Sequence, residues 1–168
     1  MALRKILTEE DPILRKKSKP VTDFGKRTAD LMDDLADTMV KANGLGLASP
    51  QVGLLRRAVV IVRDEKIIEL INPEIIASEG EETGLEGCLS VPGKSGYVCR
   101  PTKVTVKAQD RNGEWFELEC EGMAARAACH ELDHLDGILY IDKAEEVLDD
   151  SELYDDEDGE EEKDSGEA

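Results

Sequence analysis

Met123-Ala124-Ala125-Arg126-Ala127-Ala128-Cys129-His130-Glu131-Leu132-Asp133-His134-Leu135 is the stretch on which the fold turns. It is rich in alanine, the strongest helix former, and it has no glycine or proline until Gly137, which can close a helix in the left-handed conformation. A helix over 123–135 is therefore predicted, and its small residues let other elements approach closely. The chain's two histidines, His130 and His134, lie four apart on it, with Glu131 directly after the first. Chance alone would give this His-Glu-x-x-His arrangement roughly one or two times in a thousand. Residues four apart project from one helix face, so both imidazoles can reach one divalent cation. Glu131 is rotated far enough to reach a water beside it instead.

Upstream of this helix the periodicity changes. Val104, Val106 and Ala108 alternate with polar residues, Asn112-Gly113 supplies a tight turn, and Phe116, Leu118 and Cys120 alternate again, which predicts a hairpin. Ala58-Val59-Val60-Ile61-Val62 and Ile67-Ile68-Glu69-Leu70-Ile71 read as two β-rich runs joined by Arg63-Asp64-Glu65-Lys66, and Asn72-Pro73 breaks the second. From Asp23 to Ala42, apolar residues recur at Leu31, Met32, Leu35, Ala36, Met39 and Val40, the period of a helix with one buried face. Thr22 or Asp23 can cap it, and Asn43-Gly44 stops it. The expected class is α+β: small antiparallel sheets packed around a central helix carrying His-Glu-x-x-His, with an amphipathic N-terminal helix.

A length of 168 residues supports one domain with a substantial core. There are 39 Asp and Glu against 21 Lys and Arg, a net charge of −18, but the charge is unevenly placed. Fourteen acids and one lysine fall between Ala144 and Ala168, so the body is only mildly acidic. That run is too poor in apolar residues to offset its ordering entropy, which predicts a domain over 1–143 and a disordered acidic tail over 144–168. Phosphate binding needs clustered Lys and Arg, so no direct nucleic-acid partner is expected. Met1 to Asp11 lacks the apolar core of a signal peptide, and no stretch reaches the length of a membrane span. The expected compartment is the cytoplasm, without membrane association. Cys88, Cys99, Cys120 and Cys129 match no Cys-x-x-Cys metal knuckle, and in a reducing cytosol they are not expected to form a disulfide framework.

Two histidines leave a catalytic metal one protein ligand short. In the extended metalloprotease pattern the third histidine would fall where Tyr140 stands, so the ligand must be a Cys, Asp or Glu from elsewhere. Cys88, in Glu86-Gly87-Cys88-Leu89-Ser90-Val91-Pro92, is the best candidate. Cys129 competes with it, although it is turned away from the His130–His134 face.

With these residues in place the sequence resembles the peptide deformylases. Gly44-Leu45-Gly46-Leu47-Ala48-Ser49-Pro50-Gln51 resembles that family's Gly-x-Gly-Leu-Ala-Ala-x-Gln, Glu86-Gly87-Cys88-Leu89-Ser90 its Glu-Gly-Cys-Leu-Ser, and His130-Glu131-Leu132-Asp133-His134 its His-Glu-x-Asp-His, all in the family's order. Pro12-Ile13-Leu14-Arg15, Asn72-Pro73, Gly96-Tyr97-Val98-Cys99-Arg100 and Gly137-Ile138-Leu139-Tyr140-Ile141-Asp142 also fit, so the likeness covers about residues 3 to 143. It implies removal of the formyl group from the formylmethionine of newly made polypeptides by one divalent metal, typically ferrous iron, with zinc or nickel able to occupy the site. By motif position Cys88, His130 and His134 become the ligands and Glu131 the proton carrier. Gln51 and the backbone amide of Leu89 become the oxyanion donors, and the backbone at Leu45, Gly46 and Gly87 the edge on which the peptide lies. Nascent formylmethionyl chains are the implied partners, with transient ribosome association.

Ser49 stands in place of the family's usual alanine, and Cys129 where many members carry glutamine. The acidic run replaces the C-terminal helix common in the family, which leaves ribosome docking through a basic helix without a basis here. Two other classes share part of the pattern. A zinc endopeptidase would use His-Glu-x-x-His on internal peptide bonds. A non-catalytic metal-stabilised module would close the site with protein ligands and have no use for Glu131 or Gln51.

Overall fold

The alanine-rich segment forms helix α2, Met123–Leu135, and ten of its thirteen residues are buried, including His130, Glu131 and His134. A helix with so little exposed surface is a strut inside the molecule. It ends as expected: Gly137 adopts φ 77°, and a Cβ there would lie 2.5 Å from the carbonyl oxygen of Arg15. The structure, a computed structural model, describes residues 2–152.

Around α2 lie helix α1, Lys26–Lys41, and eight strands: β1 Gly46–Ala48, β2 Ala58–Arg63, β3 Lys66–Glu79, β4 Glu82–Cys88, β5 Val91–Arg100, β6 Lys103–Gln109, β7 Trp115–Glu121 and β8 Glu146–Asp149. All pairings between them are antiparallel, in a five-stranded sheet of order β1-β2-β3-β6-β7 and a three-stranded sheet of order β4-β5-β8. Both faces of the larger sheet are covered at β2. Val59 and Ile61 pack with Ala125, Ala128, Leu132 and Leu135 of α2, while Ala58 and Val60 pack with Leu31, Met32, Leu35 and Met39 of α1. That double burial is why β2 reads as an unbroken apolar run without a polar face. The class read from the sequence, α+β with antiparallel sheets around a central helix, is the one observed.

Four local readings are corrected. Helix α1 begins at Lys26, because the Asp23 carboxylate accepts from the Gly25 amide (2.9 Å) and forms a turn before the helix. Val40 is 58% exposed, since the buried stripe ends at Met39. Asn72-Pro73 does not end β3 but bulges it. Asn72 has φ 49°, and its side chain bonds both backbone groups of Val21 and the Gln109 side chain, so pairing to β6 resumes beyond it.

The fourth correction moves the domain boundary. Glu146–Asp149, expected to begin a disordered tail, form β8, with Lys94 opposite Asp149 and Ser95 opposite Leu148. The backbone ladder offered by β5 orders a segment whose composition alone could not, so the folded unit runs past 143. The rest of the expected tail, 153–168, lies outside the described residues. No helix among the described residues is long and apolar enough to cross a membrane.

Candidate metal centre

Strand β4 delivers two side chains to α2. Residues two apart on a strand share a face, and here these are Glu86 and Cys88, with Leu89-Ser90 turning the chain back into β5. Cys88 Sγ lies 3.4 Å from His134 Nε2, which lies 3.3 Å from His130 Nε2, and all three donor atoms fall within 4.8 Å of one another. Nitrogens and a sulfur at ordinary zinc-type distances from a tetrahedral ion stand roughly 3.3 Å and 3.5 Å apart. The three donors therefore fit one divalent cation. The competing thiol, Cys129, is buried in the apolar cluster under β2 and is not among them.

The surroundings fix these donors. His130 Nδ1 is 2.9 Å from Glu86 Oε1, which leaves Nε2 for the shared centre. Glu86 also accepts from Arg100 (2.9 and 3.0 Å) and Arg126 (2.7 Å), and Arg100 reaches on to Asp133 (2.7 Å). Burial alone would raise the Glu86 pKa, but the hydrogen bonds and charges of His130 and Arg100 bring it down to about 2. His130 is pushed well above its ordinary value: burial opposes this, but Glu131, Cys88 and Glu86 outweigh it. His134 is driven well below, first by burial and then by the charge of His130.

Glu131 is 4% exposed, and its Oε1 has no hydrogen-bond partner among the described residues, lying 4.0 Å from His134 Nε2. Burial raises its pKa to about 7, with the charge of His130 opposing. Its other oxygen abuts β1, where a Cβ on Gly46 would lie only 2.5 Å from Oε2, so glycine is required for the strand to pass. Gln51 sits in a 3₁₀ turn, Ser49–Val52. Its Oε1 accepts from Ala48 N (2.9 Å), while Nε2 donates to Ser90 Oγ (3.0 Å) and lies 3.6 Å from Cys88 Sγ.

These groups open onto a cavity of about 310 Å³ bordered by Leu45, Gly46, Gln51, Gly87, Cys88 and Leu89, with His130 and Glu131 at its base. All nine residues singled out from the sequence thus meet in one place, His134 lying just behind His130. Sequence reasoning assigned nothing to Glu86, Arg100, Arg126 or Ser90. Glu86, Ser90 and Arg100 lie in segments that carry the resemblance, and Arg126 is the one charge interrupting the alanines of α2.

A cysteine sulfur, two imidazoles and a buried carboxylate converging beneath one groove are the equipment of metal-dependent hydrolases, and comparison with known proteins narrows that class. Residues 3–149 match the family model of polypeptide deformylase, and the chain belongs to that family. It is 60% identical over 153 residues to a peptide deformylase of Caldicellulosiruptor bescii, covering 91% of this chain and 92% of that one. The crystal structure of a peptide deformylase from Legionella pneumophila superposes with a TM-score of 0.82 at 47% identity, covering 84% of this chain and 86% of that one. That of Thermotoga maritima does so with a TM-score of 0.84 at 39% identity, covering 87% and 100%. The chain is accordingly a hydrolase that removes the N-formyl group from newly made polypeptides, which sets aside the endopeptidase and the non-catalytic module.

Proposed function

We propose that Cys88, His130 and His134 hold one divalent cation, ferrous iron in the cell, with zinc or nickel able to take the same place, and that the formyl group is cleaved there. When bound, the cation supplies Lewis acidity, polarising the formyl carbonyl and making water nucleophilic near neutral pH. Glu131 accepts the proton of the attacking water at its free Oε1 and delivers it to the departing amine nitrogen. Gln51 Nε2 and the Leu89 N–H donate to the formyl oxygen as charge develops on it. Glu86 holds the His130 ring, and Ser90 holds the Gln51 amide.

The peptide lies extended against the backbone at Leu45 and Gly46 on one side and Gly87 on the other. Supporting this, β1 and β4 are edge strands of their sheets and both border the cavity, so each has backbone groups free for an added strand. A nascent-chain substrate favours action in the cytoplasm with transient contact to the ribosome.

The observation that carries the reading is the placement of the three donors, His134 Nε2 lying 3.4 Å from Cys88 Sγ and 3.3 Å from His130 Nε2 and all three within 4.8 Å of one another, beside a buried Glu131 oxygen with no hydrogen-bond partner among the described residues. Anaerobic purification, metal analysis and formate release from a formyl-methionyl peptide test it. One divalent metal per chain and rapid formate release are expected, with both lost in Cys88→Ala. Full metal occupancy in Cys88→Ala, or no formate from the iron-loaded chain, would overturn it.

A further inference from the structure

The two groups proposed to receive the formyl oxygen come from different sheets. Gln51 lies in the turn that follows β1 of the larger sheet, whereas Leu89-Ser90 joins β4 to β5 of the smaller one. Their separation is therefore a tertiary quantity that neither sheet sets by itself. The bond from Gln51 Nε2 to Ser90 Oγ ties the side chains, and the N-terminal segment ties the backbones. The Leu7 N–H donates to the Gln51 carbonyl at 2.7 Å, and the Glu9 N–H donates to the Ser90 carbonyl at 2.9 Å. Two residues of chain span at most about 7 Å, so Leu7-Thr8-Glu9 limits how far the two carbonyls can part.

Both ends of this segment are anchored. Before it, Ile6 packs against the cluster of α1 and β2 side chains, Arg4 N donates to Thr38 Oγ1 (3.0 Å), and the Arg4 guanidinium meets Asp34 (2.8 Å). After it, the Thr8 carbonyl accepts from Asp11 N (2.9 Å) and closes a turn, and Leu14 is fully buried with Val91 and Val98 of β5. The segment is thus rooted in the core of each sheet, one at either end. Leu7, Thr8 and Glu9 do not border the cavity, so they act on it only through what they hold.

We propose that Leu7-Thr8-Glu9 is a positioning strap: by tying the Gln51 and Ser90 carbonyls to one short stretch of chain, it sets the distance between the Gln51 amide and the Leu89 N–H. The inference rests on the deformylase reading above, which makes those groups the donors to the formyl oxygen, and it gives the N-terminal segment a part in that reaction. Such donors work by being fixed where charge develops, so slack in their spacing lowers turnover more than it weakens substrate binding.

Glu9 stands second in the turn closed by Thr8 and Asp11, a position that favours proline, so Glu9→Pro deletes the N–H to Ser90 and suits the turn. Glu9→Ala keeps that N–H and is the reference, so that loss of the carboxylate is not counted. In the full, iron-loaded chain acting on formyl-Met-Ala-Ala, Glu9→Pro should lower kcat about ten-fold relative to Glu9→Ala, less than outright loss of a donor, with KM within about two-fold and metal content unchanged. In a Gln51→Ala background the same change should cost under about three-fold, because one of the groups it places is gone. Inserting one glycine after Thr8 keeps both donors but lengthens the strap by about 3.5 Å, and it should lower kcat as Glu9→Pro does, which decides the matter if the proline variant does not fold. Hydrogen exchange reads the strap without turnover: the Leu7 and Glu9 amides should be protected in the wild type, and in Glu9→Pro the Leu7 amide and the Gln51 side-chain amide should exchange faster while those of α2 do not. Unprotected Leu7 and Glu9 amides, a kcat that neither variant lowers, or an equal cost of Glu9→Pro with and without Gln51 would overturn the inference while leaving deformylation intact. Absence of formate from the wild type would overturn the deformylase reading and the inference with it.

Discussion

Replacing Glu86 by Gln tests whether the buried charge network beneath the proposed metal centre holds its geometry. The carboxylate is 5% exposed and takes four contacts of 2.7–3.0 Å: His130 Nδ1, two from Arg100 and one from Arg126. An amide of the same shape carries no charge and turns one acceptor into a donor that must face other donors. Arg100 keeps Asp133, but Arg126 is left with carbonyl partners alone. Breaking a buried ion pair by removing one partner costs about 3–5 kcal/mol. An independent figure agrees: a carboxyl brought from 4.5 to about 2 contributes on the order of 3 kcal/mol, present above pH 4.5 and lost as the pH falls toward 2. For a chain of this size, 3–5 kcal/mol corresponds to a fall in Tm of roughly 6–20 °C.

Metal affinity should fall with it, because His130 loses the partner that leaves Nε2 directed at the centre. Loss of such a partner costs about 10- to 100-fold. Calorimetry of the metal-free and metal-loaded proteins, with chelator competition for the Kd, separates the two effects. Adding Arg126→Met to Glu86→Gln should recover part of the stability, since it removes the uncompensated charge. A Glu86→Gln protein within about 1 kcal/mol of wild type and with a Kd within about two-fold would refute the reasoning, because the network would then be a consequence of the fold and not a support of the site.

Three further outcomes are expected. Glu131→Gln should keep metal content and fold while turnover drops by ~10²–10⁴, the usual contribution of positioned proton transfer; wild-type formate release would remove Glu131 as the proton carrier. Gly46→Ala should spare metal content but lower kcat by ~10², because the added methyl meets Glu131 Oε2 at 2.5 Å and must displace it; unchanged kcat would show that β1 can yield. Asp34 is buried, which would raise its pKa, but the Ala2 amide and the Arg4 guanidinium outweigh this and lower it. Its contribution is thus present above the ordinary aspartate range and lost as the pH falls through the depressed value. Asp34→Asn should therefore destabilise by about 1 kcal/mol at pH 7 and converge with wild type in acid, as measured by denaturant titration at each pH.

The parts of the molecule legible in the sequence are those where one apolar period runs uninterrupted. Helix α2 and the β6–β7 hairpin are read correctly because Ala125, Ala128 and Leu132, or Val104, Val106 and Ala108, repeat on a single buried face. Strands β4 and β5 defeat the same reading for a physical reason. The inward positions that should be apolar include Glu86 and Arg100, which are buried as a mutually neutralising pair, so the alternation that marks a strand is absent. Strand β1 is three residues long, too short for any period, and β8 owes its order to a partner some fifty residues earlier.

The site divides along the same line. His130, Glu131 and His134 are local to one helix and can be read from spacing. Gln51 and the Leu89 amide owe their place to turns whose approach to α2 is tertiary, and they were reached only through resemblance. Glu86, buried within a strand and paired to two arginines, has no local signature, yet it contacts a proposed ligand directly. The charges that hide β4 from a hydrophobic pattern are the ones that hold His130. Local rules fail here because the strand's inward face serves the proposed metal centre instead of the core.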